Sequence, residues 1–469
     1  RWPGGRLRRG PLHALAARRE DGRPRVRWAA RGPWGPPFRE EPDLSTFTAD
    51  AAAALGGPEW LQARRGEALE RFQAGERPTE AEEVWRYSRI DQLDLDRFSP
   101  VADGNGHAGD APPSGLASVM DSAGERAGLL VLHNGRVVTA EVDPALAAAG
   151  VVVGPLADSP LGPELLDSVA RPADVFGELS TAFVADGAVV HVPAGVVVER
   201  PILVLHWVDE EGGAVFPRLI VRIEETAEAT VLDHLASPPG LEALVGPVVE
   251  LDLGDASHLS YLAVQSLGTG VWQLGNQASS VGRDATLDSF MVALGGDYAR
   301  VRTDSRLVGQ GGTSNLLAVY FGDGHQMHDF RTMQDHEGPK TTSDLLFKGA
   351  VEDEAHSVYT GLIRVRKGAA GTNAFQTNRN LVLTEGAHAD SVPNLEIEEN
   401  DVRCSHASAV GPIDDDHRYY LEARGVPPEV ADRLIILGFF DDVIQRTPLP
   451  GLRGPLRQAV AAKLHEGDA

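Results

Sequence analysis

Between residues 129 and 397 the chain is written in short β-branched and aliphatic runs. They recur roughly every ten to twenty positions with almost no helical periodicity between them. The runs fall at 202–205, 219–223, 248–253, 259–264, 285–292, 314–320, 342–348, 357–365 and 380–383, while Pro193-Ala194-Gly195 cuts residues 189–198 into two. Near the start, Asn134-Gly135 between two apolar runs is a hairpin turn. Only residues 161–169 read as helix inside this region. A chain of this kind is not an alternating β/α fold; it is a sandwich, a barrel or a parallel β-helix. No strict short repeat separates the three.

Helical signals flank the strands. Pro58-Glu59-Trp60 opens a helix carrying Leu61, Ala68, Leu69 and Phe72, and Thr79 with Glu82 has the spacing of a capping box leading into Glu83-Val84-Trp85-Arg86-Tyr87. Residues 103–115, around His107, read as an exposed loop. At the other end, Asp414-Asp415-Asp416 suits a helix N-terminus and Gly425 its stop. Pro427-Pro428-Glu429 then opens a helix through Val430, Leu434, Phe439, Phe440 and Ile444, and a last helix runs over 455–464. The Phe439-Phe440 pair either leaves apolar surface for a partner helix or groove or packs into the core. The predicted organisation is therefore a disordered basic extension at 1–44, a helical region and linker at 45–125, a β core at 126–412 and a helical domain at 413–469.

Charge narrows the function. The 469 residues hold 43 Lys+Arg against 68 Asp+Glu, a net charge of −25, and the first 40 residues concentrate eleven arginines against three acids. The acidic remainder repels nucleic acid. No apolar run approaches the roughly 20 residues that span a bilayer. One cysteine, Cys404, excludes an intrachain disulfide and fits a cytoplasmic home.

There is no phosphate-binding glycine loop ending in Lys-Ser or Lys-Thr, and Gly322-Asp323-Gly324 lacks the third glycine of a dinucleotide site. His325, His328 and His336 lie near Asp329, Asp335 and Glu337, but in a strand a spacing of three points two side chains to opposite faces. Satisfied surface or loop histidines are the simpler reading. Cys404-Ser405-His406 is more telling. If extended, it puts a thiol and an imidazole on one side of a strand, able to share a soft or borderline cation or to activate the thiol. Two ligands leave a metal half-coordinated, so a second chain would have to contribute.

The run Thr372-Asn373-Ala374-Phe375-Gln376-Thr377-Asn378-Arg379-Asn380, followed by Pro393-Asn394-Leu395-Glu396-Ile397, Asn400-Asp401-Val402-Arg403-Cys404-Ser405-His406, Tyr420-Leu421-Glu422-Ala423-Arg424-Gly425 and Leu437-Gly438-Phe439, resembles the SufB/SufD family of iron–sulfur cluster assembly proteins. Upstream, His336-Glu337-Gly338-Pro339-Lys340 and Glu83-Val84-Trp85-Arg86-Tyr87 fit it too. SufB-type chains carry a cysteine on the strand before the Cys-Ser-His position; residues 376–380 have none, which makes the resemblance most like SufD.

The resemblance implies a mainly β protein, a right-handed parallel β-helix flanked by helical domains, working as a scaffold and not as an enzyme. It implies pairing with a SufB-like subunit, or a homodimer when isolated. It also implies docking of a SufC-like ATPase on C-terminal helices bearing Tyr420, Arg424, Leu434, Phe439 and Phe440. Closure of two ATPase subunits would then move the pairing interface. A transient Fe–S cluster or iron would sit there, with His406 facing a cysteine of the SufB-like chain and Cys404 close by. The alternatives are a SufB-type scaffold that holds a cluster itself and a polysaccharide-processing β-helix protein.

Overall fold

The computed structural model describes residues 46–102 and 112–466, and besides these a two-residue antiparallel pairing of Ala17–Arg18 with Pro24–Arg25. Apart from that pairing, the extension anticipated at 1–44 lies outside the described residues, as do residues 103–111 of the anticipated loop. The strands from Gly128 to Gly411 belong to two sheets, and from His258 onward successive strands alternate strictly between them. One carries His388–Ile397, His356–Val365, Met327–His336, Tyr298–Leu307, Gly270–Val281, Val248–Leu253, Arg218–Ile223, Ala188–Val192 and Val152–Pro155 in spatial order. The other runs from Val402–Gly411 through Thr372–Val382, Thr342–Val351, Thr313–Gly322 and Thr286–Ala293 back to Gly128–His133. Neighbours along these paths pair in parallel except at the N-terminal end, where Gly128–His133 meets Arg136–Val142, and Val152–Pro155 meets Ala188–Val192, antiparallel. Each second strand thus returns to the same sheet one step along, which makes a parallel β-solenoid of about eight turns. Of the three folds the sequence allowed, this is the parallel β-helix.

The coils repeat in backbone, not in side chains. Tyr298 pairs with Met327, Met327 with His356 and His356 with His388, so the repeat is close to thirty residues but changes from coil to coil. One corner shows what recurs. Thr226, Ala256, Asp284 and Lys340 stand at φ +58°, +54°, +54° and +57°, and Gly311 and Gly371 take the same left-handed place in their coils. The amide of each of the four reaches up the stack: Thr226 N–H to Asp255 O at 2.9 Å, Ala256 to Arg283 O at 2.7 Å, Asp284 to Gln310 O at 2.9 Å, Lys340 to Ala370 O at 2.8 Å. Stacked amides therefore satisfy the turn and offset the cost of a left-handed residue at non-glycine positions.

The lumen changes character along its length. In the N-terminal half Val190, Val204, Val221, Val231 and Leu251 fill it. Fully burying each such side chain contributes about 1.5–3 kcal/mol. Toward the C-terminal end aromatic and polar side chains take over, including Tyr320, Phe330, Phe347 and Tyr359.

The N-terminal helix forms at Glu59–Ala74, with Pro58 before its first turn. Arg65 on this helix is buried and donates to Val184 O and Ala185 O, both at 2.7 Å, which fixes the helix to the solenoid. The capping-box helix does not form. Glu82 accepts from Thr79 N–H at 3.1 Å, half of the box, but residues 80–87 run on as turns. Tertiary contacts override the local propensity: Trp85 is buried against Phe176 and under the Arg300 guanidinium, and Arg300 also donates to Val84 O at 2.7 Å. The apolar stretch at 161–169 yields only the single turn Gly162–Leu165, because the amides of Asp167, Val169 and Ala170 bind the buried carboxylate of Glu250.

Three helices come after the last strand: Asp415–Glu422, Pro428–Ile444 and Arg453–Glu466. Asp414 caps the first by accepting from Asp416 N–H, and Gly425 at φ +85° ends the excursion beyond it. Ile436, Phe440, Val443 and Ile444 pack on the outer face of the second sheet over Val292, Val319 and Phe321. Lys348 rises from that face and donates to Phe439 O at 2.8 Å and Asp442 at 2.7 Å.

Candidate functional site at the open end of the solenoid

The solenoid ends on two strands, His388–Ile397 and Val402–Gly411, each paired on one side only. Alternation in a strand sends every second side chain inward. On the last strand the inward set is Val402, Cys404, His406, Ser408 and Val410, because their partners Thr372, Ala374, Gln376, Asn378 and Asn380 are all buried. Among the described residues no further coil covers this strand, so His406 and Val410 are exposed while Cys404 is half-buried against Ile363, Val365 and Ala374. Leu395 and Ile397 add exposed apolar surface from the facing strand. Ser408 Oγ and Ser391 Oγ meet at 2.8 Å across the lumen, so both edge strands line one open mouth.

Cys404 and His406 therefore do lie on one side of one strand. Burial pushes the Cys404 thiol above its ordinary pKa. A free thiol in that setting is a poor nucleophile; it becomes a thiolate when a metal displaces its proton.

Beneath His406 lies a polar column. Gln376, directly paired with His406, is buried, and its side-chain amide has no protein partner among the described residues. Asn378 donates to Tyr320 Oη at 3.0 Å, Tyr320 donates to Asn380 Oδ1 at 2.6 Å, and Asn380 donates to Asn378 Oδ1 at 2.8 Å. Sequence reasoning missed this column. Its signal was there: Gln376, Asn378 and Asn380 stand at every second position, where apolar residues would mark an inward face.

His325, His328 and His336 do not converge. His325 is exposed beside Glu354, His328 is buried with Gly295 O at 3.1 Å, and His336 is buried between Thr341 and Ser343 at 2.8 and 2.9 Å. Burial brings His328 and His336 each down to about 4, so both are neutral structural groups.

The C-terminal helical positions divide by exposure. Tyr420 is 56% and Leu434 50% exposed, and Arg424 stacks on the Tyr420 ring at 3.5 Å. Tyr419 and Val430 extend the exposed face. Phe439 is half-buried under the Lys348 ammonium, 4.6 Å from its ring. Phe440 has no exposed surface and packs against Phe321, so the expectation that it offers a docking surface is corrected: it belongs to the core. Consecutive helical residues point about 100° apart, which is why one phenylalanine of the pair faces in.

Comparison with known proteins agrees with this architecture. The SufBD core domain of the SUF system for FeS cluster assembly matches residues 206–439, and the SufBD N-terminal region matches residues 123–204. An iron–sulfur cluster assembly SufBD family protein of Mycobacterium tuberculosis is 33% identical over 419 residues, 87% of this chain and 94% of that protein. The iron–sulfur cluster assembly protein SufD of Escherichia coli is 28% identical, covering 83% of this chain and 90% of its own length. The SufD of Bacillus subtilis is 30% identical over 61% of this chain and 66% of its own length. A β-solenoid whose domain matches and long-range identity all point one way is a member of the SufBD family of iron–sulfur cluster assembly proteins, most like SufD.

Proposed function

We propose that this chain is the SufD-type subunit of an assembly complex. It pairs with a SufB-like chain through the open end of its solenoid and presents its C-terminal helices to a SufC-like ATPase. His406 and Cys404 supply two ligands to a nascent iron–sulfur cluster that the partner completes.

The observation that carries this reading is the uncapped last coil. Its two edge strands offer unpaired backbone donors and acceptors, a template for a second β chain. Leu395, Ile397 and Val410 supply apolar area around that edge, and the only thiol of the sequence lies in the same mouth with His406. An iron–sulfur cluster takes four protein ligands in the common case, and this mouth offers one thiol and one imidazole. That count favours a shared site over a cluster held by this chain alone. Cys404 would bind as thiolate after giving up its proton, and His406 through a neutral ring nitrogen.

The chain has no phosphate-binding loop, so ATP hydrolysis is assigned to the partner, whose closure would act on the exposed face of Tyr419, Tyr420, Val430 and Leu434. The helix bearing Leu434 is keyed to the solenoid wall by Phe440 and Lys348, which gives such a force a rigid path into the sheet.

Affinity purification of the tagged chain from its host, with co-purifying proteins identified by mass spectrometry, tests the partnership. A SufB-like chain and a SufC-like ATPase are expected; recovery of neither would overturn it. In the same preparation His406→Ala should lower iron and sulfide content while leaving the complex assembled. Unchanged content removes His406 from the site. Anaerobic reconstitution of the isolated chain giving a full cluster would favour the SufB-type reading instead.

A further inference from the structure

Three side chains of metal-ligand type meet on the outer wall across the last two strands of the sheet opposite the Cys404–His406 strand. We propose that His356, His388 and Asp390 form a site for one divalent transition cation of borderline softness, such as zinc or cobalt. This does not depend on the assembly role argued above.

His356 and His388 are register partners on adjacent parallel strands, and Asp390 is two residues beyond His388 on the same face. Their ligand atoms all lie within 4.8 Å of one another. The two imidazoles stack with centroids 3.7 Å apart and planes 25° apart, and His356 Nε2 lies 2.8 Å from Asp390 Oδ2. A neutral imidazole ring keeps a lone pair for a metal. Two imidazoles and a carboxylate are a familiar three-ligand set for zinc, with the fourth position left to water or another group.

Charge separates this cluster from its neighbours. Other outward carboxylates on this sheet are neutralised by arginine: Asp329 by Arg300, Asp335 by Arg366 and Glu396 by Arg364. Asp390 has no lysine or arginine within ion-pair distance among the described residues; its ion-pair partner is His356. A bound cation would supply the missing positive charge. The His258–Asp288 pair, also at 2.8 Å, has no second imidazole and gives an internal control.

The test is cobalt(II) titration of the full chain, purified without a histidine tag, in a Cys404→Ser background so that no thiolate contributes to the spectrum. One saturable site with tetrahedral visible bands is expected. His388→Gln and His356→Gln should each weaken it more than about tenfold, with circular dichroism showing the solenoid intact, while His258→Gln leaves it unchanged. Absence of saturable binding would reduce the trio to a stacked, hydrogen-bonded ladder and overturn the proposal. So would binding that is indifferent to the His388 and His356 substitutions, or that is abolished by His406→Ala instead.

Discussion

At the residue scale, the polar end of the lumen depends on side chains that are absent. Gly361 leaves the space that Gln376 and Tyr359 occupy: a Cβ there would stand 2.4 Å from Gln376 Nε2 and 2.4 Å from Tyr359 Oη. Gly361→Ala is therefore expected to destabilise by about 1–3 kcal/mol through overpacking, seen as a lower thermal midpoint. Gly438 sits inside the Pro428–Ile444 helix with nothing within 4 Å of its would-be Cβ. Gly438→Ala should shift the midpoint the other way, by up to about 1 kcal/mol of helix propensity. Equal shifts of one sign would show that neither packing nor propensity governs these positions. Cys404 and His406 were legible as a pair because strand alternation alone puts them on one side. That the side is the lumen, and that Gln376 lies under His406, required the register of the neighbouring strand.

At the element scale, local signals worked where an element makes its own hydrogen bonds. The Asn134-Gly135 turn, the Glu59–Ala74 helix and the Asp414 cap all formed as their sequences imply. They failed at residues 80–87, where Arg300 and the Trp85 pocket hold the chain in turns that no local rule encodes. The Pro428–Ile444 helix separates two kinds of contact. Phe440→Ala should cost about 3–5 kcal/mol of docking against the sheet, read as earlier proteolytic cleavage of the C-terminal helices. Leu434→Asp, on the exposed face, should leave that cleavage unchanged and reduce capture of the SufC-like ATPase proposed above. If Leu434→Asp released the helices as readily as Phe440→Ala, the division into core and docking faces would be wrong.

For the whole molecule, buried histidines couple stability to acidity. His234, His328 and His336 are each lowered by burial to about 4, below their ordinary value of 6.5. The unfolded chain then binds more protons than the folded one between these limits. Their contribution is complete above about pH 6.5 and is lost as pH falls toward 4, by up to about 1.4 kcal/mol per unit and per histidine. Glu250, Asp252 and Asp304, raised by burial, act in the opposite sense, so the difference between two proteins isolates the effect. His336→Gln should show a shallower fall in unfolding midpoint than the parent between about pH 6.5 and 5. Parallel curves would mean that His336 does not titrate on unfolding. By itself the sequence determined the class of fold, the helical flanks and the Cys404–His406 pair, because those come from side-chain periodicity within a few residues. Only the tertiary structure decided the coil register, the burial of Phe440, the polar column and the meeting of His356 with His388 and Asp390. Those rest on contacts between residues thirty or more positions apart in sequence, where the backbone repeats and the side chains do not.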